Sequence, residues 1–253
     1  MAEGFRTIFD SVFDNASPDE MGCFLKNELV PFEYCERAIR MKGIGWRNKL
    51  LVAKRRDCPV DVLVSLCRKG GERFLDDLFK TMKVIPEVAI RELFKKDWTM
   101  YHLASYWRLP DDIKAEMFER FVIRDENGRI VSYDYGMDNF LECQVYLPDI
   151  CWKDMDAVLD AYRARLRGDM RRNLVEIVRP MQTPLDDDYA MTIIDDANCR
   201  NWHKFMKLAA NPSISDYAMM EIRVKCPEHA MEDVNEILAK REPARDEYRR
   251  RHE

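Results

Sequence analysis

The sequence predicts an all-α fold: an α-solenoid of stacked two-helix repeats in one domain spanning residues 1–253, with a small hairpin-like insertion near residues 123–131. Three observations carry this. First, Trp46 to Lys69 (WRNKLLVAKRRDCPVDVLVSLCRK) reads as a short helix, a break at Asp57-Cys58 and a second helix opening at Pro59. Proline suits a helix start because the first N–H groups have no intrahelical partner. Val62, Leu63 and Leu66 then give the second helix one apolar face, which it cannot bury alone. Second, an apolar residue followed by proline recurs at Val30-Pro31, Cys58-Pro59, Ile85-Pro86, Leu109-Pro110, Leu147-Pro148 and Cys226-Pro227, and an acid follows within a few residues: Glu33, Asp61, Glu87, Asp111, Asp149 and Glu228. A carboxylate there complements the positive end of the helix dipole. Third, the first four of these prolines lie 28, 27 and 24 residues apart, a period expected of helical repeats.

Taken in order, residues 1–16 place Phe5, Ile8, Phe9, Val12 and Phe13 on one stripe, read as an N-terminal cap helix over the first repeat rather than a partner-binding helix. Ser17 and Glu20 occupy the two positions of a capping box, so a helix starts there. Regular repeats run over 17–121. Within residues 122–136, IRDENGRIV centres two β-prone arms on Asn127-Gly128, a hairpin turn signal in which both residues tolerate positive φ. This reads as an insertion projecting from one face, either part of a binding surface or a tolerated loop. Residues 137–241 form irregular repeats: a long helix after Pro148 carries Trp152, Met155, Val158, Leu159 and Tyr162, and Asp186-Asp187-Asp188 opens another whose apolar side is Tyr189, Ala190, Ile193 and Ile194. Residues 242–253, nearly all charged, read as an exposed, fraying tail or the polar edge of a terminal cap.

VAKRRDCPVDVLVSL and LAANPSISDYAMMEI resemble the bacterial leucine-rich repeat variant, a family within the wider class of HEAT-like helical arrays. In the second stretch Ser215 takes the proline slot and Asn211-Pro212 reproduces the family's Asn-Pro step; Arg56-Asp57 stands in its place in the first. The resemblance implies a curved superhelix and no shared catalytic residues.

Composition sets limits. With 47% apolar and 34% charged residues the chain is ordinary for a helical protein, and its net charge of -5 gives no global attraction to nucleic acid. The eight cysteines include no CxxC pair and read as reduced thiols packed as small hydrophobes, as in a cytoplasmic protein. No apolar run approaches the roughly 20 residues of a membrane span. Nucleotide-binding glycine motifs, H-E-x-x-H and a nucleophile elbow are absent from the sequence, so no cofactor is expected.

Two basic stretches, 37–56 and 163–172, supply candidate partner-binding residues: Arg47, Arg55, Arg56, Arg163, Arg167 and Arg171. Aligned on one face they would suit an acidic protein segment; the same residues with Trp46, Trp152 or Tyr162 as stacking surfaces would suit nucleic acid, and a solvated basic face needs neither. Cys199, His203, Cys226 and His229 could together offer two thiolates and two imidazoles to tetrahedral zinc. Cys226 also fills the apolar slot before a proline, a packing role, so no metal is expected. The expected function is a non-enzymatic scaffold that binds a protein partner, with nucleic-acid binding as the alternative and an enzyme site in the concavity as a third class.

Overall fold

The computed structural model describes residues 3–165, 174–196 and 202–252. The fold is all-α. The chain forms two compact units, Met1–Leu103 and Ala104–Glu253, where the repeat pattern in the sequence offered one continuous array.

The first unit contains α1 (Glu3–Asn15), α2 (Pro18–Lys26), α3 (Phe32–Arg40), α4 (Trp46–Ala53), α5 (Val60–Lys69), α6 (Glu72–Thr81), α7 (Glu87–Phe94) and most of α8 (Met100–Ala104). Helices two apart in the chain lie side by side: α4 packs against both α2 and α6, and α5 against α7. Consecutive helices α3, α4 and α5 also touch, so α4 is shared between rows. Ser17 caps α2 with both halves of the capping box in place. The apolar stripe of α1 divides: Phe13 is buried and Phe9 packs with it in an edge-to-face cluster with Phe24 and Tyr34, whereas Ile8 and Val12 are exposed.

The second unit contains α9 (Asp111–Phe121), β1 (Val122–Arg124), β2 (Ile130–Tyr133), α10 (Gly136–Cys143), α11 (Asp149–Arg165), α12 (Leu174–Val178), α13 (Asp187–Asp196), α14 (His203–Ala210), α15 (Asp216–Lys225) and α16 (Glu228–His252). Packing again joins helices two apart: α9 with α11, α10 with α12, α13 with α15, and α14 with α16. The strands are the only ones among the described residues and pair antiparallel, Val122 opposite Tyr133. Their turn differs in one respect from the sequence expectation. Only Gly128 has positive φ, at 77°, while Asn127 does not; the Asp125 side chain holds the turn by accepting from the Asn127 and Arg129 N–H groups. The hairpin is also tied down rather than projecting free: β2 packs on α11, and Arg124 bridges Glu119 of α9 and Asp154 of α11.

The repeating prolines sit one residue earlier than a first helical position. Pro31, Pro59, Pro86 and Pro110 are N-caps with extended ψ near 139–147°, and the carbonyls of Pro59, Pro86 and Pro110 accept the first helical hydrogen bonds. The preceding Val30, Ile85 and Leu109 are buried, which anchors each helix start. Ser215 fills the same slot and accepts from the Ala218 N–H at 3.2 Å, so a capping hydroxyl does what proline does elsewhere.

Four residues before Pro59, Pro148 and Ser215, each of which precedes a helix, a polar side chain reaches back to an earlier part of the chain. Arg55 donates to the carbonyls of Leu25, Asn27 and Val30. Gln144 donates to Ala104 and Tyr106, and Asn211 to Pro180 and Gln182. Each satisfies chain-end carbonyls that a buried loop would otherwise leave unpaired. The counterpart of Asn211 is therefore Arg55, one residue before the Arg56-Asp57 pair that the sequence suggested. Toward the C-terminus α16 runs through Pro243 to His252, with residues 242–244, 246, 247 and 249–251 exposed and Arg241 and Arg245 turned inward.

Candidate functional site

Four of the six candidate arginines lie among the described residues, and one of them, Arg55, is buried. Arg55 has a side chain only 2% exposed, with Nε and Nη2 paired to the Asp57 carboxylate at 2.8 and 2.7 Å. That bond holds the Asp57 carboxyl below its usual range. Arg55 is thus a structural cation, held because the carbonyls at the end of α2 and the Asp57 carboxylate together meet its donors, and it is not available to a partner. Arg47 and Arg56 are exposed, Arg47 lying over the Trp46 ring at 5.4 Å. Arg163 is exposed and bonded to Asp160. Arg167 and Arg171 lie outside the described residues. Elsewhere in the basic stretch 37–56, Arg37 is met by Asp10 and Asp14, and Arg40 by Glu36. Local acids thus meet three of the eight bases in that stretch, Arg37, Arg40 and Arg55. Of the proposed stacking rings, Tyr162 is buried.

The Cys-His set is divided as well. Cys199 lies outside the described residues. His203 Nε2 is 4.0 Å from Cys143 Sγ, and its ring stacks on Trp202. Burial, with help from the Lys207 charge, pushes the imidazole down to about 4. Cys226 is buried with its thiol donating to the Pro227 carbonyl, and burial pushes it up to about 11, which opposes the thiolate that zinc needs. His229 meets the Trp202 edge. Among the described residues no group of three such side chains is placed to hold a metal. Between Cys143 and α12, Lys207 is fully buried and donates to the carbonyls of Leu141 and Ile177.

A surface that sequence reasoning missed lies on α15. Ala218, Met219 and Ile222 face the core, while Tyr217, Met220 and Val224 form an outward stripe, 58%, 53% and 73% exposed. Spacings of three and four residues place them on one helical face. Beside the stripe, Lys225 pairs with both Asp195 and Glu221. The signal was present in DYAMMEIRV, which carries apolar residues on both helix faces, but an exposed apolar face cannot be told from a buried one until the neighbours are known. No helix among the described residues is long and apolar enough to cross a membrane. No protein-family model, curated protein or solved structure matches the chain.

Proposed function

We propose that the chain is a non-enzymatic scaffold of the HEAT-like or leucine-rich-repeat-variant kind, which binds a partner protein through the outward stripe of α15. The single observation that supports it is that stripe: three large apolar side chains, contiguous and half or more exposed, on a helix whose other face is fully packed. Such a face on stacked helices is the usual ground for helix-in-groove or flat protein contacts. The stripe itself carries no charge to meet a phosphate backbone, so the occupant is a protein segment with apolar anchors. Arg47, Arg56 and Arg163, which remain exposed, would act at most as peripheral contacts to acids on such a partner.

Capture from native cell extract tests this, comparing the wild-type chain with a Tyr217→Ser, Val224→Ser variant of unchanged circular dichroism. A defined protein held by the wild type and reduced at least tenfold in the variant supports the reading. Equal recovery by both chains removes it.

A further inference from the structure

A cavity of about 310 Å³ lies between α15 and α16. Its charged lining is Arg223, Arg241 and Arg245 against Asp216 and Glu242, which leaves one positive charge uncompensated (three minus two). Met219, Met220 and Leu238 supply apolar wall. Two of the arginines are buried, Arg241 at 1% and Arg245 at 8% exposure. The protein serves them poorly. A guanidinium has five N–H donors, yet Arg241 donates to the Ile214 carbonyl and makes no ion pair among the described residues. Arg245 is bonded to Asp216, whose carboxylate is itself 72% exposed and shared with Arg249, and has a longer contact of 3.9 Å with the exposed Glu242. The Nε of each buried arginine has no hydrogen-bond partner among the described residues. Burial and the neighbouring Arg245 charge bring Arg241 down to about 10, the mark of a cation short of counter-charge. A buried cation is costly unless it is paired and hydrogen-bonded.

We propose that this cavity binds a monocarboxylate carried on an apolar stem, with the carboxylate taken by the Arg241 and Arg245 guanidinium groups and the stem lying along Met219, Met220 and Leu238. A single negative charge matches the single uncompensated positive one. A phosphate dianion would exceed it and would meet Asp216 and Glu242. The carboxylate can come from a free small acid or from an acidic side chain of a protein partner. Of the three stripe residues Met220 also lines the cavity, whereas Tyr217 and Val224 do not, so a variant at those two positions leaves the cavity's lining unchanged.

Calorimetric titration of the full chain at constant ionic strength tests the site. The probes are hexanoate, hexanol, inorganic phosphate and a short peptide with one glutamate between leucines. Hexanoate is expected to saturate, with hexanol and phosphate at least tenfold weaker; a peptide tighter than hexanoate identifies a partner side chain as the source, and a weaker one identifies a free acid. Arg223→Ala, at an exposed position, should weaken hexanoate about tenfold. Asp216→Ala removes an exposed competitor for Arg245 and should tighten it several-fold, which a merely structural role would not do. No saturable binding, equal binding of hexanol, tighter binding of phosphate, or no gain in Asp216→Ala overturns the proposal. Capture lost in the Tyr217→Ser, Val224→Ser variant with hexanoate binding intact separates the two sites.

Discussion

The Lys207 ammonium donates to the Leu141 carbonyl at 2.5 Å and closes the C-terminal ends of α10 and α12 at once, through Leu141 and Ile177. Burial brings this lysine down to about 7, from 10.5. The sign follows from linkage: the unfolded chain holds the proton up to the higher value, so charging Lys207 opposes folding below about 10.5, and the penalty is full below about 7. Stability should therefore rise between pH 7 and 9 by about 2 kcal/mol from this group alone. Urea melts of the wild type and Lys207→Met, compared at each pH, isolate that slope; parallel curves would show that Lys207 is not desolvated.

The acid side has its own group. His203 titrates near 4 in the fold and near 6.5 when unfolded, so its contribution is complete above about 6.5 and is lost as pH falls toward 4. At pH 5 the loss should be about 2 kcal/mol relative to pH 7.5. His203→Gln should abolish that step between pH 6.5 and 5, before the carboxylates titrate. An unchanged pH profile in the variant would place the imidazole in water.

Core and surface should separate sharply. Leu63 and Leu66 are 3% and 7% exposed on the buried face of α5. Truncating either to alanine should cost about 2–5 kcal/mol, whereas Arg250→Ala or Arg251→Ala, on exposed turns of α16, should change stability by under about 0.5 kcal/mol. Chemical denaturation of the four variants checks the ranking, and a reversed order would put α5 in the wrong register.

Much of the helical order was legible because its signals are local. Apolar-proline steps fix helix starts through φ and a buried anchor, Ser17 with Glu20 forms its box within one turn, and Asp125 to Gly128 closes a turn on itself. What escaped reading depends on distant groups. Arg55 looked like one more surface base because the carbonyls that hold it lie 25 to 30 residues earlier. Arg241 and Arg245 were hidden in a run of charges that composition alone assigns to solvent. The contact of His203 with Cys143, 60 residues earlier, could not be seen from spacing. The outward stripe of α15 needed the packed side of that helix to be known first.

We propose that the chain is built of two-helix units keyed by the residue four positions before Pro59, Pro148 and Ser215: Arg55, Gln144 and Asn211. The most direct measurement is equilibrium unfolding of Arg55→Ala and Asn211→Ala, each against a control on the surface, Arg56→Ala and Lys225→Ala. Removing Arg55 strips buried carbonyls and Asp57 of their partner, and removing Asn211 strips two carbonyls. Losses of about 3 and about 2 kcal/mol are expected, with both controls under about 1 kcal/mol. Keyed positions no more costly than their controls would contradict the unit, and with it the scaffold built on it.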